Sequence, residues 1–310
     1  MKPDLLLIEP MLPEIEARLD ALYNVHRIFD PTNGIEAAAP QIRAVVTGGG
    51  TGLAREWFDR LPALGIIAIN RVGTDKVDLA LARARGIDVT TTAGALTDDV
   101  ADMGMALILA VLRRIVEGDA TIRAGRWAAK APFPLGSSLR GKRLGIYGLG
   151  KIGRALAERG EAFGMRVRYY NRSAVADVAW QACPDLVTLA QDSDVLAICI
   201  AATPETNGQV NAQVLQALGS KGVLVNIARG SVIDENALVE ALAGGKIAGA
   251  GLDVFADEPN VRPDLLGFPG TVFTPHQASA TLETRIAMGA LVLSNLAAHF
   301  AGTPPPTVVN

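Results

Sequence analysis

Apolar residues recur in short blocks along the first part of the chain, at Asp4–Ile8, Val25–Phe29, Ala44–Thr47, Ile66–Ile69 and Val89–Thr91. Blocks of this length, rich in Leu, Ile and Val, have the signature of strands buried on both faces. Between them, segments such as Leu53–Leu61 and Lys76–Ala84 place apolar positions at helical spacing. The alternation restarts at Lys142–Tyr147, Val167–Tyr170, Val195–Ile200, Val223–Ile227, Ala250–Val254 and Val272–Phe273. The pattern therefore predicts an α/β chain with two units, each a parallel sheet whose strands are joined by helices. A length of 310 residues agrees, since it exceeds what one hydrophobic core usually organises.

Thr97–Glu117 is predicted as one long apolar helix between the units, opened by Thr97, Asp98 and Asp99, residue types suited to an N-terminus. A second long helix is expected from about Leu282 to Phe300, stopped by Gly302 and a triple proline. Residues 124–140, with Trp127, Phe133 and two prolines, fit neither period and read as an extended arm suited to a subunit contact. No fixed-period repeat or low-complexity tract occurs.

Composition narrows the possible partners. An apolar share of 49% with 20% charged residues is that of a globular protein, and the longest apolar stretch, Met103 to Leu112, is too short to span a bilayer. The N-terminal MKPDLLLIEP reads as a first buried strand rather than a signal peptide, so a cytoplasmic location and no membrane partner are expected. A net charge of -3 without a basic cluster beyond Arg113-Arg114 argues against nucleic acid as a partner. Cys183 and Cys199 form neither a metal-ligand spacing nor a disulfide framework, so no metal is expected, and Cys199, inside VLAICI, reads as core.

The strand GKRLGIY runs into Gly148-Leu149-Gly150-Lys151-Ile152-Gly153 and then into the helical RALAERGEAFG. Gly148 permits a tight turn, Gly150 lets the backbone approach a pyrophosphate, and Gly153 lets the helix pack closely. The helix N-terminus supplies N–H donors and a positive dipole end. In NAD sites the next strand ends in a carboxylate that takes the ribose 2′-hydroxyl. Asn171 stands there instead, with Arg172 and Ser173 after it, and these can donate to a 2′-phosphate, so NADPH is preferred and NADH remains possible. Thr47-Gly48-Gly49-Gly50-Thr51-Gly52 lacks the third glycine of the fingerprint and reads as a turn.

Three further patterns follow in order: Asn226-Ile227-Ala228-Arg229-Gly230, Gly251-Leu252-Asp253-Val254-Phe255 running on to Asp257-Glu258-Pro259, and Thr274-Pro275-His276-Gln277-Ala278-Ser279. Each falls at the C-terminal end of a predicted strand, the edge where ligands lie in open α/β sheets. These motifs, in this order and over essentially the whole chain, resemble the D-isomer-specific 2-hydroxyacid dehydrogenase family. The stretch Ala95–Asp102 and Asn171-Arg172-Ser173 are most similar to its glyoxylate/hydroxypyruvate and hydroxyphenylpyruvate reductase branch. The resemblance implies NADPH-dependent reduction of a small 2-keto acid to a D-2-hydroxy acid. It implies that Arg229 holds the substrate, that His276 is the acid–base group, and that Glu258 orients the imidazole. These roles suit a guanidinium, an imidazole and a carboxylate.

The resemblance further implies that the backbone of Val72 and Gly73 cradles the substrate carboxylate, that Asp253 accepts from the nicotinamide carboxamide, and that Thr97, Thr206, Ala228 and Ala278 lie in cofactor-contact segments. Asp75, beside that cradle, also reads as a cap for the next helix. Ala201 departs from the proline of many relatives. The implied layout is a flavodoxin-like substrate domain of residues 1–98 and 283–310 and a Rossmann cofactor domain of residues 99–282, dimerising through the cofactor domain and the arm near Trp127. Two alternatives stay open: a nicotinamide-nucleotide-binding corepressor of the same fold, and an NAD-linked phosphoglycerate-type dehydrogenase. His26 and His299 read as structural.

Overall fold

The computed structural model describes residues 2–30, 34–173 and 175–310. They form two compact units, one running to Leu96 and resuming over Ser279–Asn310, the other spanning Thr97–Ala278.

In the first unit the order is β1 (Asp4–Leu7), α1 (Pro13–Leu22), β2 (Asn24–Arg27), α2 (Ile35–Ala38), β3 (Ile42–Thr47), α3 (Arg55–Arg60), β4 (Ile66–Ile69), α4 (Leu79–Ala84) and β5 (Asp88–Thr90). The strands pair in parallel in the order β2-β1-β3-β4-β5, the flavodoxin-like arrangement. Their apolar runs are continuous because both faces are covered. Leu6, Val45, Ile67 and Val89 pack on one side with Phe58 and Leu61, while Leu5, Leu7, Ala44, Val46, Ile66 and Ala68 pack on the other with Ile15 and Leu19. Successive residues of a strand point to opposite faces, so an uninterrupted run is what such a sheet demands.

The second unit holds α5 (Thr97–Leu112), α6 (Ile115–Arg123), β6 (Arg143–Tyr147), α7 (Lys151–Ala162), β7 (Arg166–Tyr170), β8 (Gln181–Ala182), α8 (Leu186–Gln191), β9 (Val195–Ile198), α9 (Ala212–Leu218), β10 (Val223–Asn226), α10 (Glu235–Ala243), β11 (Gly249–Leu252) and β12 (Thr271–Phe273). The chain then returns to the first unit as α11 (Leu282–Phe300), whose Val292, Leu293 and Leu296 complete the face lined by Ile15 and Leu19. The second sheet is parallel throughout, in the order β12-β11-β10-β9-β6-β7-β8. Strand order reverses between β6 and β9, and ligands of doubly wound sheets lie beyond the strand ends at such a switch point.

Two local expectations change. The single helix over Thr97–Glu117 is two helices, because Arg114 adopts a left-handed conformation at φ 54°. The freed carbonyl of Leu112 is taken by the Ser137 N–H at 2.7 Å, and Arg114 pairs with Glu117 across the new first turn. Asp98 and Asp102 face Arg159 of α7, at 3.0 and 2.6 Å, which fastens α5 to the helix after the glycine turn. The cap of α4 is Asp78, whose side chain accepts from the Leu81 N–H, and not Asp75. No helix among the described residues is long and apolar enough to cross a membrane.

Candidate active site

The glycine turn lies directly after β6. Gly148 has φ 99°, and a Cβ there would stand 2.6 Å from the Ile200 backbone nitrogen, so only glycine fits. A Cβ on Gly153 would stand 2.2 Å from the Gly148 carbonyl oxygen, which is the close helix–turn packing the motif provides. At Gly150 a Cβ would meet nothing within 4 Å. Gly150 is also the N-cap of α7 and offers no side chain to the first turn, leaving the N–H groups around Lys151, Ile152 and Gly153 for an anion in the open space before them. This cradle fits a dinucleotide pyrophosphate.

Asn171, at the end of β7, does more than sequence reasoning assigned it. Its Oδ1 accepts from the Leu149 N–H at 2.6 Å, so it braces the glycine turn. Arg172 and Ser173 follow on the surface. Thr206 closes the loop after β9, its hydroxyl donating to the Ala201 carbonyl at 3.0 Å and accepting from the Thr203 N–H at 2.8 Å. Its hydroxyl is thus spent on loop shape. Thr97 is the first residue of α5.

The three remaining strand ends converge. At the end of β10 the buried Asn226 accepts from the Ala228 N–H at 3.0 Å and donates to the Arg229 carbonyl at 2.9 Å, fixing the turn that presents Arg229. The Arg229 guanidinium donates to the Ala228 carbonyl at 2.8 Å. Gly230 lets this turn press on the segment after β11, since a Cβ there would lie 1.9 Å from the Phe255 carbonyl carbon. That segment carries Glu258. Its Oε1 accepts from the Phe255 N–H at 3.0 Å and its Oε2 lies 2.6 Å from His276 Nδ1. Burial pushes the Glu258 carboxyl up, but the His276 and Phe255 hydrogen bonds and the charges of His276 and Arg229 outweigh it and hold the group below the usual glutamate range. With Nδ1 engaged, Nε2 is the nitrogen left to exchange a proton with substrate.

His276 is held by Asp253. That carboxylate, 1% exposed, accepts from Thr274 Oγ1 at 2.6 Å, the Gln277 N–H at 2.9 Å and the Ala278 N–H at 3.0 Å, while the Asp253 carbonyl accepts from the His276 N–H at 2.8 Å. His276 itself sits at φ 49°, a left-handed conformation that non-glycine residues keep only where surroundings impose it. Asn226 and Asp253 are therefore the positioning residues of this site. Their signal in the sequence is a single polar residue ending, or directly following, an otherwise apolar strand.

Val72 and Gly73 belong to the first unit, in the loop after β4. His26 pairs with Asp4 at 2.8 Å and His299 with Asp88 at 2.7 Å, so both are engaged within that unit. Burial pushes the Cys199 thiol up to about 12, which leaves it neutral and unreactive. No cluster of metal-ligating side chains occurs among the described residues.

A doubly wound sheet with an anion cradle at its switch point, and an arginine and a carboxylate–imidazole pair on neighbouring strand ends, defines a nicotinamide-dinucleotide dehydrogenase. Residues 105–278 match the family described as D-isomer specific 2-hydroxyacid dehydrogenase, NAD binding domain. The chain is 48% identical over 299 residues to 2-ketogluconate reductase of Gluconobacter oxydans, covering 96% of each. It is 44% identical over 307 residues to hydroxyphenylpyruvate reductase of Plectranthus scutellarioides, covering 98% of each. Among solved structures, an NADPH-dependent glyoxylate/hydroxypyruvate reductase from Sinorhizobium meliloti, in complex with NADP and malonate, superposes with a TM-score of 0.94 at 41% identity, over 100% of this chain and 97% of that one. The chain belongs to the D-isomer-specific 2-hydroxyacid dehydrogenase family.

Proposed function

We propose that this chain reduces a small 2-keto acid, of the glyoxylate, hydroxypyruvate or arylpyruvate type, to the D-2-hydroxy acid with NADPH. The Glu258–His276 pair at 2.6 Å carries this reading, because it supplies a proton donor of fixed orientation beside an arginine. The similarity to reductases of 2-ketogluconate, hydroxyphenylpyruvate and glyoxylate/hydroxypyruvate supports it. The bound nicotinamide cofactor supplies hydride to the keto carbon. Arg229 pairs with the substrate carboxylate and keto oxygen, a planar fork matched to two adjacent acceptors. Protonated His276 gives its Nε2 proton to the oxygen as negative charge develops, and Glu258 stabilises the imidazolium and fixes its tautomer. Val72 and Gly73 offer backbone N–H groups to the carboxylate. Ala228, Asp253 and Ala278 line the cofactor side, and Thr97 and Thr206 shape its walls. Following NADPH absorbance with glyoxylate and hydroxypyruvate tests the proposal; absence of turnover with every 2-keto acid offered would overturn it.

The NADPH preference rests on Asn171, Arg172 and Ser173 in place of a carboxylate. Asn171→Asp keeps an acceptor for the Leu149 N–H, so the turn survives while a negative charge meets the 2′-phosphate. The ratio of kcat/KM for NADPH over NADH is expected to fall roughly tenfold or more, about 1.4 kcal/mol of added repulsion. An unchanged ratio counts against the assignment.

The cytoplasmic homodimer is the proposed working form. Exposed apolar side chains gather in one stretch, with Ile122 62%, Trp127 71% and Leu135 95% accessible, flanked by Ile115 and Phe133. A second copy covering this stretch would remove them from water. Leu135→Glu with Trp127→Ala is expected to shift sedimentation velocity from dimer to monomer; a monomeric parent protein would overturn this reading.

A further inference from the structure

A cavity of about 310 Å³ opens within the first unit, at the C-terminal edge of its sheet. That size is within the range of small-ligand pockets. Pro10, Met11 and Leu12, which follow β1, form an apolar wall. The other side is polar: Glu9, Asn70 and Arg71 at the strand ends, and Arg285 from the first turn of α11.

These polar groups are assembled but not satisfied by one another. Asn70 Oδ1 is buried with no hydrogen-bond partner. Arg285 lies half-buried, where loss of water disfavours its charge and only the field of Glu9 offsets it. The side chains of Arg285 and Glu9 make no hydrogen bond or ion pair among the described residues. Arg71 spends one nitrogen on the Asn70 carbonyl at 3.0 Å. A buried acceptor and a desolvated guanidinium are each unfavourable if left unmet. The surrounding glycines keep the space open. A Cβ on Gly48 would stand 2.0 Å from Glu9 Oε2, and one on Gly49 would stand 2.7 Å from Arg71 Cβ and 3.3 Å from the Gly73 carbonyl. The cavity thus adjoins the Val72-Gly73 loop through Arg71.

The chemistry selects its occupant. Glu9 and Asn70 Oδ1 require donors, whereas Arg71 and Arg285 require acceptors. A carboxylate or phosphate tail cannot donate to the first pair and would be repelled by Glu9. An aryl or alkyl tail satisfies none of the four. Successive hydroxyl groups both donate and accept, and their carbons can rest on Met11 and Leu12. The geometry points to a subsite for the polyhydroxylated tail of a 2-keto sugar acid, read by Glu9, Asn70, Arg71 and Arg285. This rests on the 2-keto acid reduction proposed above, with the acid group at Val72 and Gly73 and the tail running past Arg71.

The test compares 2-ketogluconate with 2-oxohexanoate, which has the same chain length and no hydroxyls, with glyoxylate as reference. The ratio of kcat/KM for the first two is measured in the parent enzyme and in Glu9→Gln and Arg285→Met, so that hemiketal formation by the sugar acid in solution cancels. Sites built to bond a substrate hydroxyl discriminate strongly against analogues that lack it. The ratio is therefore expected to fall at least tenfold in each variant, with the change in KM exceeding that in kcat. A smaller fall in both overturns the subsite. Should Arg285→Met fail to fold by circular dichroism, Arg285→Lys, which keeps the charge and loses the planar fork, replaces it under the same criterion. Turnover of glyoxylate without the expected fall removes the subsite alone; no turnover of any 2-keto acid removes it together with the proposed reaction.

Discussion

Replacing His276 by Asn is expected to lower kcat/KM for keto-acid reduction by about 10²–10⁴-fold, the span that a positioned general acid supplies. Asn suits the position, since it tolerates the left-handed backbone at φ 49° better than most residues and leaves the Asp253 contacts to the loop in place. The loss would then reflect the missing proton and not a collapsed loop, which thermal unfolding close to that of the parent would confirm. Glu258, held below the usual glutamate range, stays ionised until the medium is more acidic than that range. Its ionised form therefore adds stability that is fully present above the unfolded-state value of about 4.3 and is lost as pH falls through the lower folded one. Glu258→Gln should remove that acid-side loss and lower kcat. A His276→Asn enzyme with near-parent activity would sink the assignment of the donor.

Both sheets were legible in the sequence because strands buried on two faces cannot alternate; Leu5–Leu7, Val45 and Val46, and Leu196–Ile198 are uninterrupted for that reason. The glycine turn was legible because its three glycines answer to three separate constraints, two of them steric clashes of under 3 Å. What could not be read was conformational detail decided by tertiary context. The break after Leu112 has neither glycine nor proline to announce it; Arg114 turns left-handed where the Ser137 backbone caps the helix end. Asn171 looked like a ligand-facing donor, yet its carbonyl is committed to Leu149, a contact between residues 22 apart in sequence. Thr206 likewise binds its own loop. Polar side chains at a ligand edge divide into those that touch ligand and those that hold the edge in shape, and pattern alone does not separate the two.

Asp253 shows this division most sharply, and the largest structural effect is expected from Asp253→Ala. The carboxylate gathers Thr274 Oγ1 and the N–H groups of Gln277 and Ala278 at 2.6–3.0 Å, all in the loop that holds His276 at positive φ. Alanine would orphan three donors at a position only 1% exposed. Each buried donor left unmet is unfavourable by about 1–3 kcal/mol, so a loss of at least about 3 kcal/mol follows unless the loop rearranges. At about 2–4 °C per kcal/mol for a unit of this size, Tm should fall by about 6 °C or more. Rearrangement relieves the donors by releasing His276 from its constrained backbone, so the variant loses either stability or the alignment of the imidazole with Glu258. In the second case kcat falls by roughly 10²-fold while KM changes little, as misplacement of a reacting group by about an ångström predicts. Asp253→Asn is informative beside it: one amide oxygen still accepts, but the NH2 faces a donor, and only part of the loss returns. Calorimetry together with steady-state kinetics decides the matter, because an Asp253→Ala protein that keeps both its Tm and its kcat would show that the loop places His276 without this carboxylate.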